Sequence, residues 1–392
     1  MPVADSQISP RRPSLAVVTL DYPPVRGGIQ TLAHEIYSRL ADRLAFLLAP
    51  AHPRAAAWDA QDIVPVERTR CGVESRLARI GFALEARRRL RALPASVPLH
   101  CLNLYAARAA GLDGRRRYCL WVHGEELLRQ KNERALRRCL TGAELILANS
   151  RFTAGVARRL AGERPPIVVV PLGAPPEWLR RPPSPQAVEW RRRLAPPDIP
   201  LVLTVSRLSR RDRYKGVDLS LEACARLRRM GAEFRLAVVG DGDYAAVLQH
   251  RAHAAGIADW VHWLGNVEEA SLVDLYDACD LFLLNSRAER GPRGLGVEGF
   301  GIVFLEAAAR GKPAIGGRSG GIPDAVEDGV TGILVDPDDP RALAEALRQL
   351  LSDPAARARL GQAARARVER EYHWNRSAQL VWEAHRRYFP SL

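Results

Sequence analysis

Short apolar runs, each followed by a turn and then by a segment of helical spacing, recur in both halves of this chain. That alternation restricts its fold more than any other feature. Ser14–Leu20 (SLAVVTL) reads as a buried strand. The turn DYPPVRGG follows, and then Ile29, Leu32, Ala33, Ile36, Tyr37 and Leu40 fall at i, i+3, i+4 and i+7 spacing. Further strands are expected at Tyr118–Val122, Glu144–Ala148 and Ile167–Leu172. The pattern resumes at Pro200–Leu208 and continues through FRLAVVG, WVHWLG, LFLLNS, PAIGG and TGILVDP, with helices between. Strands separated by helices imply parallel sheets. With 392 residues the chain is too long for one core, so two doubly wound α/β domains are expected.

Between the two series lies Gly173–Pro200, rich in Pro and Arg, which reads as the connection. The expected division is residues 14–175 for the first domain, 176–199 for the linker and 200–375 for the second. Residues 1–13 are polar and Pro-containing, unlike a signal peptide, and are expected to lack order. No apolar run approaches the roughly 20 residues of a membrane span. The six Cys are scattered without a C-x-x-C pair, which suits reduced thiols in the cytoplasm and disfavours a structural zinc. The formal net charge is +14, which admits nucleic acid, an anionic membrane surface or anionic small molecules as partners. Nearly all of that charge is Arg, so each of the three Lys (Lys131, Lys215 and Lys312) stands out.

Ligands of doubly wound sheets bind at the carboxyl ends of the strands. Candidate residues were therefore sought there. Gly27 and Gly28 lie between the first strand and helix, where backbone N–H groups can approach an anion, although an ordinary tight turn reads equally well. His123 ends the strand of WVHGEE, where it can be structural or can reach a sugar or phosphate. Arg207 and Lys215 follow the first strand of the second half; a planar fork and a point charge suit a diphosphate. VVGDGDY sets Gly240 and Gly242 at another turn, better read as a phosphate- or ribose-side turn than as a D-x-D metal site. No metal site is expected.

The stretch Val297–Glu306, VEGFGIVFLE, carries two acids on either side of a Gly-Phe-Gly and an apolar run. On one continuous helix Glu298 and Glu306 would point well over about 60° apart. The glycines favour a loop bearing Glu298 and a helix from near Gly301 bearing Glu306. Gly311 and Pro313 then stop that helix. P-loop, HEXXH and serine-elbow motifs are not found.

Taken in order, PPVRGGIQ, WVHGEE, ILANS, SRL…YKG, VVGDGD, WLGNV, VEGFGIVFLE and GGIPDAV resemble glycosyltransferase family 4, from about Leu15 to the end. The resemblance implies the GT-B fold: two Rossmann-like domains facing a cleft, with the C-terminal segment (about 376–392) crossing back to the first. It implies a retaining hexosyltransferase that uses a nucleotide-sugar, GDP- or UDP-linked, with no cofactor and no metal. PPVRGGIQ and GVEGFGIVFLEA are most similar to the phosphatidylinositol-mannoside mannosyltransferase subgroup, which uses GDP-mannose.

By the same resemblance, Glu306 would accept hydrogen bonds from the ribose hydroxyls and Glu298 would lie beside the donor sugar. Arg207 and Lys215 would hold the diphosphate as leaving group. Gly27 and Gly28 would close over it, and His123 would contact the sugar. The backbone of Phe300, Gly301, Ile302 and Val303 would complete the donor site, with Gly240 nearby and Val267 near the base. Front-face displacement, in which the leaving phosphate helps deprotonate the acceptor, requires no protein nucleophile. Arg26 stands where some polysaccharide synthases of the wider fold have Lys, which disfavours that reading. The basic run ERGPRGLG before Glu298 has no assigned role.

The expected acceptor is lipid-linked or a glycan. Glu74–Leu93 is basic with interleaved apolar residues and poor periodicity; it reads as a solvated helix or as an interfacial helix on anionic lipid. Location in the cytoplasm, at the inner face of the membrane, follows from that second reading. A sugar-nucleotide epimerase of the same fold would need no acceptor, and the Glu-x7-Glu element disfavours it. A nucleic-acid-binding protein would account for the charge but not for the motifs, so no nucleic acid is expected as partner.

Overall fold

The computed structural model describes residues 15–25, 27–110, 116–129, 132–291 and 294–390. The expectation for residues 1–13, the Arg26 position and the centre of ERGPRGLG therefore lie outside the described residues.

The first sheet has seven parallel strands in the order β3-β2-β1-β4-β5-β6-β7. They are β1 (Leu15–Val18), β2 (Leu44–Ala49), β3 (Val66–Arg68), β4 (Leu99–Cys101), β5 (Tyr118–Val122), β6 (Leu145–Ala148) and β7 (Ile167–Val169). The second sheet has six parallel strands in the order β10-β9-β8-β11-β14-β15. These are β8 (Leu201–Val205), β9 (Arg235–Val239), β10 (Val261–Gly265), β11 (Leu281–Leu284), β14 (Ala314–Gly317) and β15 (Gly332–Val335). Between them, β12 (Glu289–Gly291) and β13 (Gly294–Gly296) form an antiparallel hairpin. Every residue of β1, β5, β6 and β11 is buried, as strands covered by helices on both faces require. The strand order reverses between β1 and β4 and between β8 and β11, and crevices open at such points.

The Pro- and Arg-rich connection is itself folded. Its helices Pro176–Arg180 and Pro185–Leu194 both begin with proline in the first turn, where the missing N–H costs nothing. The buried Asp274 carboxylate accepts from Arg181 Nη2 at 2.8 Å and from Ser184 Oγ at 2.7 Å. Arg310, also buried, donates to both oxygens of Asp277 and to the carbonyls of Trp178 and Arg181. The segment is thereby clamped to the second sheet's helices.

The chain then returns. Ala174 pairs with His373, and a Cβ on Gly173 would lie 2.6 Å from the Trp374 nitrogen, so the two passes touch. Helix Trp374–Tyr388 packs on helix Gly28–Ser38 of the first domain. No helix among the described residues is long and apolar enough to cross a membrane.

The returning helix is anchored by a buried chain of polar groups. Tyr37 Oη lies 3.0 Å from His100 Nδ1, and His100 Nε2 lies 3.1 Å from His385 Nδ1. Burial and then the Arg43 charge push the His385 pKa down to about 4, and burial with the His385 charge holds His100 well below the usual imidazole range. An unfolded imidazole titrates near ~6.5. The unfolded chain therefore binds more protons than the native one between these values, and stability is complete above ~6.5 and lost as pH falls towards 4. The loss is about 1.4 kcal/mol per pH unit for each histidine fully protonated only when unfolded. Urea denaturation at pH 7 and pH 5 should show that loss, and His385→Phe should show less of it.

Candidate active site

The site is built where the carboxyl ends of the two sheets meet. Beyond β8 the chain turns into the short helix Arg210–Lys215, whose Ser209 cap accepts from the Asp212 nitrogen. Gly216 ends it at φ 68°, and a Cβ there would lie 1.9 Å from the Asn285 carbonyl oxygen, so only glycine fits. This turn aims Lys215 inward. Its side chain is 15% exposed and its ammonium pairs with the Glu298 carboxylate, itself 12% exposed. Burial disfavours the Lys215 charge, but Glu298 and Tyr214 outweigh it and hold the pKa above the usual lysine value. Lys215 is thus charged throughout the physiological range. Arg207 differs: its side chain is 72% exposed and leans on Asp212 at 3.4 Å.

Gly240 and Gly242 serve this turn by packing. A Cβ on Gly240 would meet the Ser206 oxygen at 1.8 Å, and one on Gly242 the Leu208 oxygen at 2.4 Å. Both adopt positive φ, so they let β8's loop lie directly on β9's. Asp243 accepts from the Arg210 nitrogen at 2.7 Å and Asp241 from the Gly242 nitrogen at 2.7 Å, which occupies one oxygen of each D-x-D carboxylate. Val267, just past β10, is half-buried against the core.

Glu298 sits in a loop and Glu306 in the helix Ile302–Ala309, as the spacing implies. Gly301 starts this helix at φ 91° without a side-chain cap. Gly311 and Lys312 close it, donating to the Ala308 and Ala307 carbonyls. Phe300 is buried, while Ile302 and Val303 are half-buried at the helix start. Helix Gly28–Ser38, capped at Gly27, likewise has no side-chain cap. A Cβ on Gly28 would lie 3.8 Å from Ile302 Cγ2, so the first residues of the two helices lie side by side at the cleft. Each helix start carries roughly half a positive charge on unsatisfied N–H groups.

Along helix Ile302–Ala309, Glu306 accepts from Tyr276 Oη at 2.9 Å. Burial is the main cause that pushes its pKa up to about 7, against the Tyr276 hydrogen bond.

From the first domain, His123 reaches the same point through its backbone. A Cβ on Gly299 would lie 1.9 Å from the His123 carbonyl oxygen, and Asn149 Nδ2 donates to that oxygen at 3.2 Å. The imidazole is buried, and its Nε2 lies 2.7 Å from the Leu102 carbonyl. A carbonyl only accepts, so Nε2 carries a proton and Nδ1 is the nitrogen left for other work.

Several neighbours were not singled out from the sequence. Tyr276 and Tyr214 sit inside helices. Asp21, at the carboxyl end of β1, accepts from Gln30 Nε2 at 3.0 Å and from Asn103 Nδ2 at 2.9 Å. Burial raises its pKa, opposed by His123 and Asn103. Its place just after a strand is the signal that could have found it. Glu125 crosses the cleft to Arg211 Nη2 at 2.8 Å and also pairs with Arg129. Asp324 bonds the Arg151 nitrogen at 2.6 Å and its guanidinium.

Comparison with known proteins agrees with this geometry. The family model "Glycosyltransferase Family 4" matches residues 26–178, and "Glycosyl transferases group 1" matches residues 188–367. A GDP-mannose-dependent alpha-(1-6)-phosphatidylinositol monomannoside mannosyltransferase of Mycolicibacterium smegmatis is 32% identical over 94% of this chain and 97% of its own. A monoacylated-lipid counterpart of Corynebacterium glutamicum is 30% identical over 91% of this chain and 94% of its own. Among solved structures, Anabaena HepE with UDP and glucose superposes at TM-score 0.76 with 22% identity, covering 94% of this chain and 98% of that one. Sucrose-phosphate synthase of Thermosynechococcus elongatus gives TM-score 0.78 at 20% identity, covering 96% and 100%.

The Lys215–Glu298 pair yields a stability prediction. Lys215→Met or Glu298→Gln alone should cost about 3 kcal/mol, because each leaves a largely buried partner uncompensated. The double variant should cost about 1–3 kcal/mol less than the sum. Urea denaturation of the four proteins measures this; strict additivity would contradict the pairing.

Proposed function

The chain belongs to glycosyltransferase family 4, and from that premise we propose that its cleft moves mannose from GDP-mannose to a phosphatidylinositol-mannoside lipid. Hexose transfer from a nucleotide-sugar, with retention, is the reading that the family supports. The choice of guanine and mannose rests on the relatives that match nearly the whole chain. We place the enzyme at the cytoplasmic, anionic surface of the membrane that holds such an acceptor.

One observation carries the mechanism: two helix N-termini without side-chain caps adjoin in a cleft that also holds a lysine kept charged. Breaking a glycosyl–phosphate bond develops negative charge on the leaving diphosphate and positive charge on the sugar's anomeric carbon. Fixed positive charge aimed at the diphosphate is the largest catalytic contribution such a site can offer. Lys215 and the starts of helices Gly28–Ser38 and Ile302–Ala309 supply it in place. The exposed Arg207 closes on the phosphates when the donor enters, and Gly27 and Gly28 leave room for its approach.

Glu298 then has two tasks. It keeps Lys215 oriented, and its carboxylate accepts from hydroxyls of the donor sugar. His123 meets the sugar from the first domain through Nδ1. On departure the phosphate oxygen takes the acceptor hydroxyl's proton on the same face of the sugar, so the new bond keeps the donor's configuration. Glu306 accepts from the ribose hydroxyls, with Tyr276 holding its second position, and Val267 borders the base. Gly240 contributes through the packing of Arg207's loop.

Isothermal calorimetry with GDP, UDP and GDP-mannose tests the donor reading. GDP should bind, and Lys215→Ala should weaken it at least tenfold. A proton on Glu306 removes an acceptor, so GDP binding favours the ionised carboxylate. Affinity should therefore fall as pH drops through about 7, by up to about tenfold per unit. Glu306→Gln should flatten that dependence while the nucleotide's own ionisation stays common to both proteins. Transfer of labelled mannose from GDP-mannose, and not from UDP-sugars, into a phosphatidylinositol-mannoside extract would establish the acceptor class. UDP binding in preference to GDP would overturn the donor assignment.

A further inference from the structure

The short helix Arg210–Lys215 belongs to the second domain, yet the first domain grips it at three points. Glu125, which opens the helix Glu125–Leu128, accepts from Arg211 Nη2 at 2.8 Å. Arg129 Nη2 donates to the Arg211 carbonyl at 3.2 Å. The Arg129 guanidinium also lies 5.6 Å from the centroid of the Tyr214 ring, within reach of its π face. Glu125 pairs with Arg129 one turn further on, so the two residues form a single grip.

Arg129 is deeply placed for an arginine. Its side chain is 11% exposed, and its Nε is buried with no partner among the described residues. Leaving such a group unpaired costs stability, and a merely solvated face would not need it. The second domain is shaped to receive it. A Cβ on Gly296 would lie 2.4 Å from Arg129 Nη2 and 2.8 Å from Tyr214 Cδ1. A Cβ on Gly294 would lie 2.7 Å from the Leu128 carbonyl oxygen. These two glycines of strand β13 therefore leave a slot into which Arg129 passes from the other domain.

Tyr214 is also fixed from its own domain. The Arg287 backbone N–H donates to the Tyr214 carbonyl at 2.7 Å. The Arg287 guanidinium in turn holds Asp218 at 3.0 Å and Glu289 at 2.9 Å, and Glu289 reaches Arg213 at 3.4 Å. The second domain thus holds the backbone of Tyr214, while Arg129 of the first lies on its ring.

That ring bears on Lys215, whose ammonium lies 5.3 Å from the same centroid. Glu125 matches the charge of Arg129 at close range, so Arg129 bears on Lys215 by placing the ring more than by its field. Without the guanidinium an empty slot adjoins Tyr214, and the surface against which Lys215 rests can shift into it.

We infer that Arg129, seated by Glu125, is a positioning residue of the first domain that sets Lys215 for the donor's diphosphate through Tyr214 and the Arg211 carbonyl. The inference rests on the reading of Lys215 as a diphosphate ligand and adds a residue that acts without contacting the donor. It also gives the ends of ERGPRGLG a task. Glu289 braces the helix that carries Lys215, and Gly294 and Gly296 form the slot.

The test is calorimetric titration of the full-length protein with GDP and with guanosine, for the wild type, Arg129→Met, Lys215→Ala and the double variant. Arg129→Met should weaken GDP about tenfold and leave guanosine within about twofold, because the coupling runs to the diphosphate ligand alone. In the Lys215→Ala background the same substitution should add nothing, since its effect passes through Lys215. Arg129→Lys keeps the charge but not the planar fork and should recover only part of the GDP affinity. Urea denaturation of each protein reads folding separately. Should Arg129→Met fail to fold, Arg129→Lys carries the same cycle, and its loss of GDP affinity should likewise vanish in Lys215→Ala. Unchanged GDP affinity in the Arg129 variants, an equal loss of guanosine, or a loss that persists undiminished without Lys215 would overturn the inference while leaving Lys215 as the diphosphate ligand. GDP affinity untouched by Lys215→Ala would instead overturn the diphosphate reading, and the inference with it.

Discussion

The cleft depends on one backbone contact. Gly299 lies against the carbonyl of His123 so closely that a methyl group would sit 1.9 Å from its oxygen. That approach joins the end of β5 to the loop ahead of helix Ile302–Ala309. Gly320 and Gly321 press on the same loop from the other side, against the Glu298 and Gly299 oxygens. Wedged between them, the loop can present Glu298 to Lys215 in only one way. Any side chain at Gly299 would push the domains apart and move the two helix N-termini out of register. The Glu125–Arg211 and Arg151–Asp324 bridges hold the same closure from its flanks.

The electrostatics follow from that geometry. A lysine placed this deep would ordinarily lose its proton more easily, and Glu298 prevents this. Glu306 has no ion-pair partner among the described residues and is instead pushed up by burial toward neutrality. Two acids eight residues apart therefore occupy opposite environments. One holds a fixed charge in place, and the other is an acceptor whose ionisation a ligand can tip. Such a division is what a site needs when it must grip a diphosphate at one end and hydroxyl groups at the other.

Much of this was legible in the sequence. Strands β1, β5, β6 and β7 of the first sheet and all six of the second could be read as short apolar runs, whereas β2, β3 and β4 were not picked out; β3 and β4 are only three residues each, and β3 carries Glu67 and Arg68. The loop-then-helix placement of Glu298 and Glu306 followed from Gly299 and Gly301, and the helix stop from Gly311. The folded connection was not legible, because its anchors Asp274, Asp277 and Arg310 lie about a hundred residues away in sequence. Tyr276 acts through Glu306, 30 residues on, and Asp21 in part through Asn103, 82 residues on, so neither role shows in its local sequence. The periodicity of helix Arg76–Arg91 was hidden for a different reason. With Phe82, Ala86 and Leu90 inside and Leu77, Ile80 and Leu84 outside, apolar residues fall on both faces and the period vanishes.

The central claim is that adjoining helix N-termini and Lys215 bind the donor through its diphosphate. Calorimetric titration of the wild-type protein with GDP and with guanosine, in the presence of a chelator, tests it most directly. Fixed positive charge in the cleft predicts that GDP binds at least a hundredfold more tightly than guanosine. Equal affinities would mean that the cleft grips the base alone, and would contradict the account.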